Sequence, residues 1–120
     1  MKPVIKEMNL FVKIITFGWA GAICIAPFGI YIGKKYWDTW YFSKTVRHES
    51  IHWMQQMEML IIPFYIWYLV EWLIRIITPP WKTSYKDISF EREAYDNEKK
   101  IGYLDNRKHY VWTKYIIKNG

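Results

Sequence analysis

His48-Glu49-Ser50-Ile51-His52 constrains the fold more than any other part of this chain. Two imidazoles four residues apart lie about 40° apart around a helix, one turn above the other. Read as H-E-x-x-H, that spacing lets two ring nitrogens reach one tetrahedral ion at about 2.0–2.1 Å. Glu49 points to the side, where it takes a proton from activated water instead of binding the metal. The flanking residues contain no Gly or Pro before Pro63, and good helix formers follow the motif. They predict a helix from about residue 44 to about residue 60, with an N-cap at Ser43 or Thr45. Val46, Ile51, Trp53, Met54, Met57 and Leu60 give it a broad buried side. Two His on such a helix need partners, and a metal satisfies both.

The third ligand decides the type of site. Glu58 lies six residues beyond His52, but a ligand there needs a Gly at position 55 to let the chain turn back. Gln55 occupies that position, so Glu58 falls about 120° around a continuing helix from His52 and points elsewhere. The second candidate region is Ile88-Ser89-Phe90-Glu91-Arg92-Glu93-Ala94-Tyr95-Asp96. It reads as a polar helix capped by Asp87 or Ser89 and running to about residue 100.

Together these stretches resemble the gluzincin metallopeptidases, which pair an H-E-x-x-H helix with a downstream glutamate helix. In many of them the ligand Glu lies three residues before a small residue, and Glu91-Arg92-Glu93-Ala94 matches that E-x-x-A pattern. The resemblance covers about residues 43–96 and is to the minimal members, little more than an active-site helix, a strand layer and a glutamate helix. It implies one zinc ion per chain on His48, His52 and Glu91, with Glu49 as general base. Glu93 lacks that spacing and is a candidate acceptor for a His N–H. The gap from His52 to Glu91 is longer than in many soluble gluzincins.

At 120 residues the chain suits one domain with a modest core. It is basic, with formal net charge +6, and carries eight Trp and ten Tyr. The aromatics sit in apolar runs, so the expected charged partner is an anionic membrane surface touched peripherally, not nucleic acid. The lone Cys24 excludes an intrachain disulfide. Ile23, where a lipoprotein signal needs a small residue, argues against such a signal, although Ala20-Gly21-Ala22 matches a signal-peptidase site weakly. A cytoplasmic or membrane-associated location is favoured over secretion.

Three further segments complete the expected α+β fold. Residues 14–33 lack charge but contain Gly18, Gly21, Pro27, Gly29 and Gly33. The β-branched Ile14, Ile15, Thr16, Ile23, Ile25, Ile30 and Ile32 favour two strands with a Gly-containing turn over a membrane helix. In gluzincins a strand here pairs with extended substrate. Residues 60–77 read as an apolar core helix with Pro63 in its first turn and a Glu71–Arg75 pair, ended by Thr78-Pro79-Pro80-Trp81. Tyr65, Trp67, Tyr68 and Trp72 also suit contact with a membrane. Residues 101–120 read as a C-terminal amphipathic helix.

The expected function is zinc-dependent hydrolysis of a peptide or protein substrate, with Tyr85, Tyr95 or His109 as rival donors to the developing oxyanion. His109 is otherwise a surface His. Two other classes stay open: a non-catalytic domain stabilised by metal, and a membrane-associated structural or interaction protein in which H-E-x-x-H is incidental.

Overall fold

The computed structural model describes residues 3–15, 21–77 and 88–116. It is an α+β fold whose small sheet comprises β1 (Ile5–Glu7), β2 (Ala22–Ile25) and β3 (Gly29–Ile32). Strand β3 is central, parallel to β1 and antiparallel to β2, with Cys24 opposite Ile30 and Ile5 opposite Ile30 on the other side. Alternation along β3 separates two cores. Ile30 and Ile32 pack with Cys24, Ala26 and Trp53, while Tyr31 packs with Met8 and Val12. Gly29 has φ +141°, and a Cβ there would lie 2.6 Å from the Val4 carbonyl oxygen, so only Gly permits β1 to pair.

The strands at 22–25 and 29–32 use the β-branched residues that predicted them. The predicted strand start at Ile14 and Ile15 is instead helical, in α1 (Leu10–Ile15). Thr16 lies outside the described residues. Strand β1 is too short to show alternation, and its partner comes from 25 residues further along the chain.

Helix α2 (Phe42–Glu58) carries the motif. It begins at Phe42 after Tyr41, not at a Ser43 or Thr45 cap, and Thr45 Oγ1 donates back to the Tyr41 carbonyl at 3.1 Å. Leu60 and Ile61, with φ 60° and 68°, then turn the chain by 114° into α3 (Ile62–Ile77), and Pro63 falls in the first turn as predicted. Both residues hold a left-handed conformation that favours Gly or Asn. Leu60 is 79% exposed, so it loses little packing when replaced. Leu60→Asn is expected to raise the urea midpoint, a gain of about 1 kcal/mol. An unchanged or lower midpoint would show that the turn is unstrained.

Helix α3 is not the expected core helix. Only Phe64 and Glu71 are buried among its described side chains, while Ile62, Ile66, Leu69, Val70, Leu73 and Ile77 are exposed. Glu71 turns to α4 (Ser89–Asn97) instead of Arg75: it accepts from the Ser89 N–H at 2.9 Å and from the Ser89 hydroxyl. Ser89 is therefore the first helical residue and Ile88 the N-cap, without a side-chain cap of its own. Asp87 lies outside the described residues, as does Thr78-Pro79-Pro80-Trp81. A third core of Phe64, Ile88, Phe90 and Trp112 joins α3, α4 and the C-terminal segment.

The expected C-terminal helix is broken. Its described part, to residue 116, consists of α5 (Tyr103–Asn106) and a 3-10 turn (Val111–Tyr115), separated by residues that wrap the end of α2. Arg107, with a side chain fully removed from solvent, binds Glu58 at 2.8 Å and Glu93 at 2.6 Å. The Tyr110 N–H donates to Glu58 as well, at 2.9 Å. Satisfying a buried carboxylate pair with one guanidinium matters more here than continuing a helix.

Candidate metal centre

Helix α2 presents two functional faces. His48, His52 and Gln55 fall within one stripe and face α4, while Trp53, Val46 and Met57 pack on the sheet. Across the gap Glu91, in the first turn of α4, is buried between the two imidazoles. Its Oε1 lies 3.2 Å from His48 Nε2 and 3.1 Å from His52 Nε2. The imidazole ring centres are 4.9 Å apart. His48, His52 and Glu91 thus form a cluster able to hold a metal ion, with one donor atom from each within 4.8 Å of the others.

The donor set fits a small divalent cation. A tetrahedral ion with bonds of about 2.0–2.1 Å spaces its ligand atoms about 3.3 Å apart, close to the two imidazole–carboxylate separations here. Two neutral imidazoles and a carboxylate also match the borderline character of zinc, though other first-row metals accept the same set.

Electrostatics hold the cluster together. Burial alone would push His52 down, but the adjacent Glu91 carboxylate, helped by Glu49 and Gln55, raises it to about 9. For Glu91 burial acts upward, and the charges and N–H groups of His52 and His48 overcome it, leaving the carboxyl well below its ordinary range.

The outer ring nitrogens are fixed in turn. His48 Nδ1–H donates to Glu98 Oε2 at 2.8 Å, and His52 Nδ1–H donates to Gln55 Oε1 at 2.8 Å. The Gln55 amide cannot flip without loss, because its Nε2 donates to the Phe90 carbonyl at 3.1 Å and Glu93 Oε1 at 2.9 Å. Both Nε2 atoms are thereby left to face Glu91. Glu93, predicted as a direct acceptor for a His, acts one residue removed through Gln55. Glu98 was missed, although it follows Glu91 by seven residues and so lies on the same helical face. Gln55→Met, which keeps the volume but leaves Nδ1 without its acceptor, is expected to weaken metal affinity by roughly 10–100-fold in a chelator competition titration. Unchanged affinity would remove Gln55 from the orienting network.

Glu49 points to β2 instead of α4. It lines a cavity of about 310 Å³ with His52, Glu91, Gln56, Tyr65 and Tyr68. Burial raises its pKa, while His52, His48 and the Cys24 N–H that bonds it act in the opposite direction. Cys24 also borders the cavity, and burial followed by the Glu49 charge pushes its thiol up, away from a metal-binding thiolate. The Tyr68 hydroxyl, not considered as a donor from sequence, donates to Glu91 Oε2 at 3.0 Å.

Other sequence candidates lie elsewhere. Glu58 is held by Arg107 and by the exposed His109, whose Nδ1 lies 3.3 Å from it, so neither joins the cluster. The Tyr95 ring packs edge-on against His48 at 4.6 Å, outside the cavity lining. Tyr85 is outside the described residues. Comparison with models of protein families, with curated proteins and with solved structures gave no match.

Proposed function

We propose that this chain is a zinc-dependent metallopeptidase of gluzincin type, with a peptide or protein as substrate. One observation carries the reading: two imidazoles and Glu91 converge on one point beside a cavity that Glu49 also lines. His48, His52 and Glu91 would hold zinc, which when bound supplies Lewis acidity toward a carbonyl and toward water. Glu49 would take the proton of the attacking water and return it to the leaving amine. Tyr68, which lines the same cavity, would donate to the oxyanion in place of Tyr85, Tyr95 or His109 once its hydroxyl turned from Glu91 Oε2.

Strand β2 is an edge strand beside the motif helix, as a substrate-pairing strand should be. Its polar groups are already engaged, however. Gln56 Nε2 donates to the Cys24 carbonyl at 3.0 Å, and the Ala26 N–H donates to Gln56 Oε1 at 2.8 Å. An extended substrate that paired along Cys24 would have to displace Gln56, which favours a short contact near Ala22.

The network from Glu98 through both His to Gln55 also favours a second reading, a metal that only joins α2 to α4. Purified protein with about one zinc per chain, incubated with a peptide library and read by mass spectrometry, separates the two. Cleavage that a chelator removes and zinc restores is expected. Stoichiometric zinc with no cleaved peptide would overturn the peptidase reading and leave the structural one.

A further inference from the structure

Among the described residues, the outer surface of α3 is unlike that of any other element. At 100° per residue, Trp72, Tyr65, Leu69, Ile62, Leu73, Ile66, Ile77, Val70 and Trp67 sweep an arc of about 220°. All are exposed or half-exposed, and none carries charge. The strip that meets the protein, Phe64, Tyr68, Glu71 and Arg75, spans only about 60°. The helix therefore shows most of its circumference as apolar surface, reaching 69% exposure at Ile62 and 75% at Ile77.

Two polar atoms toward the edges of this arc are turned inward. Trp67 Nε1–H donates to Glu71 at 2.6 Å, and the Tyr65 hydroxyl donates to Gln56 at 3.3 Å. These rings offer carbon to the outside while their hydrogen bonds are made within the protein.

Shape and charge together select the medium that covers the arc. A flat protein surface covers a helical stripe of roughly 100°, less than half of what is bare here. A second copy would also bring another chain of net charge +6 against the first. Hydrocarbon closes around a helix on every free side, and an anionic headgroup layer attracts a basic chain. As a single helix α3 falls short of a span, since its 16 residues make about 24 Å against a core of about 30 Å. Among the described residues no single helix is long and apolar enough to cross a membrane.

We propose that α3 is a membrane-docking helix, lying along the interface of an anionic bilayer with its outer arc sunk among the acyl chains. Tyr65 belongs both to this arc and to the cavity beside Glu49, as Phe64 and Tyr68 line the cavity from the inner strip. Docking thus holds the cavity against the lipid surface. Resting on the peptidase reading above, the substrates are peptide segments presented at a membrane.

Vesicle flotation without any substrate tests docking independently of hydrolysis. The full chain is expected to float with vesicles of phosphatidylcholine and phosphatidylglycerol, and more weakly with phosphatidylcholine alone. The triple variant Ile66→Ser, Val70→Ser, Leu73→Ser changes only outward residues and should bind at least about tenfold more weakly, with metal content retained. Amide exchange in residues 62–77 of the unaltered protein should slow when the mixed vesicles are added. Failure of the unaltered chain to float, equal flotation of the variant, or exchange in α3 that vesicles do not change would each overturn docking. A lipid-free dimer that already protects α3 would assign the arc to a second copy instead.

Discussion

Glu49→Gln is expected to lower peptide hydrolysis by roughly 10²–10⁴-fold, while the protein keeps its metal and its melting temperature. Glu49 is not a member of the cluster formed by His48, His52 and Glu91, so removing its charge leaves all three donors in place. Its carboxylate accepts from the Cys24 N–H, and a Gln side-chain oxygen preserves that bond while losing the ability to take a proton. Binding and catalysis should therefore separate. The measurement is cleavage of a library-derived peptide by both proteins at matched zinc occupancy. Undiminished turnover in the variant would remove Glu49 as the base. A parallel loss of zinc would show instead that it acts on the metal site.

Glu91→Ala should have the larger effect on stability. Zinc that binds only the folded chain adds about 2.7–4.1 kcal/mol at free concentrations of 100–1,000 times its Kd. Without Glu91 the two imidazoles lose the carboxylate that bridges them, and α4 loses one of its links to α2. The informative readout is the rise in melting temperature on adding zinc to chelator-treated protein. The unaltered chain should show it and Glu91→Ala should not. Because Glu91 also neutralises His52 in the metal-free state, the variant is expected to melt lower even without zinc. Glu58→Gln is the control, since Glu58 is committed to Arg107 at the far end of α2. A zinc response lost in Glu58→Gln but intact in Glu91→Ala would show that the third ligand had been misassigned.

The inner and outer parts of the site differed in how far they were legible. His48, His52 and Glu49 were readable because they share one unbroken helix, where spacing alone sets direction. Glu91 needed the E-x-x-A pattern, since nothing local ties α4 to α2 when Glu91 follows His52 by 39 positions. Gln55 and Tyr68 carried no such mark. A Gln that orients an imidazole and a Tyr that faces a cavity have the same local sequence as residues that merely pack. Their roles depend on what α4 brings opposite them. Glu58 was separable in advance by the same helix geometry, yet its buried pairing with Arg107 was not, because Arg107 arrives from another segment.

By itself the sequence determined the elements whose cause is local. Periodicity and the lack of Gly and Pro made α2, β-branching made the two antiparallel strands, and Pro63 marked the entry to α3. Tertiary structure decided how those elements are used. It split the C-terminal segment so that Arg107 could reach two buried carboxylates, and it took Glu71 from Arg75 to cap α4. It also left α3 standing out from the domain instead of within it. An apolar run is equally compatible with a core and with an exposed face, because hydrophobicity states only that a side chain leaves water. Which surface receives it is settled by the other elements, and around α3 they cover only one narrow side.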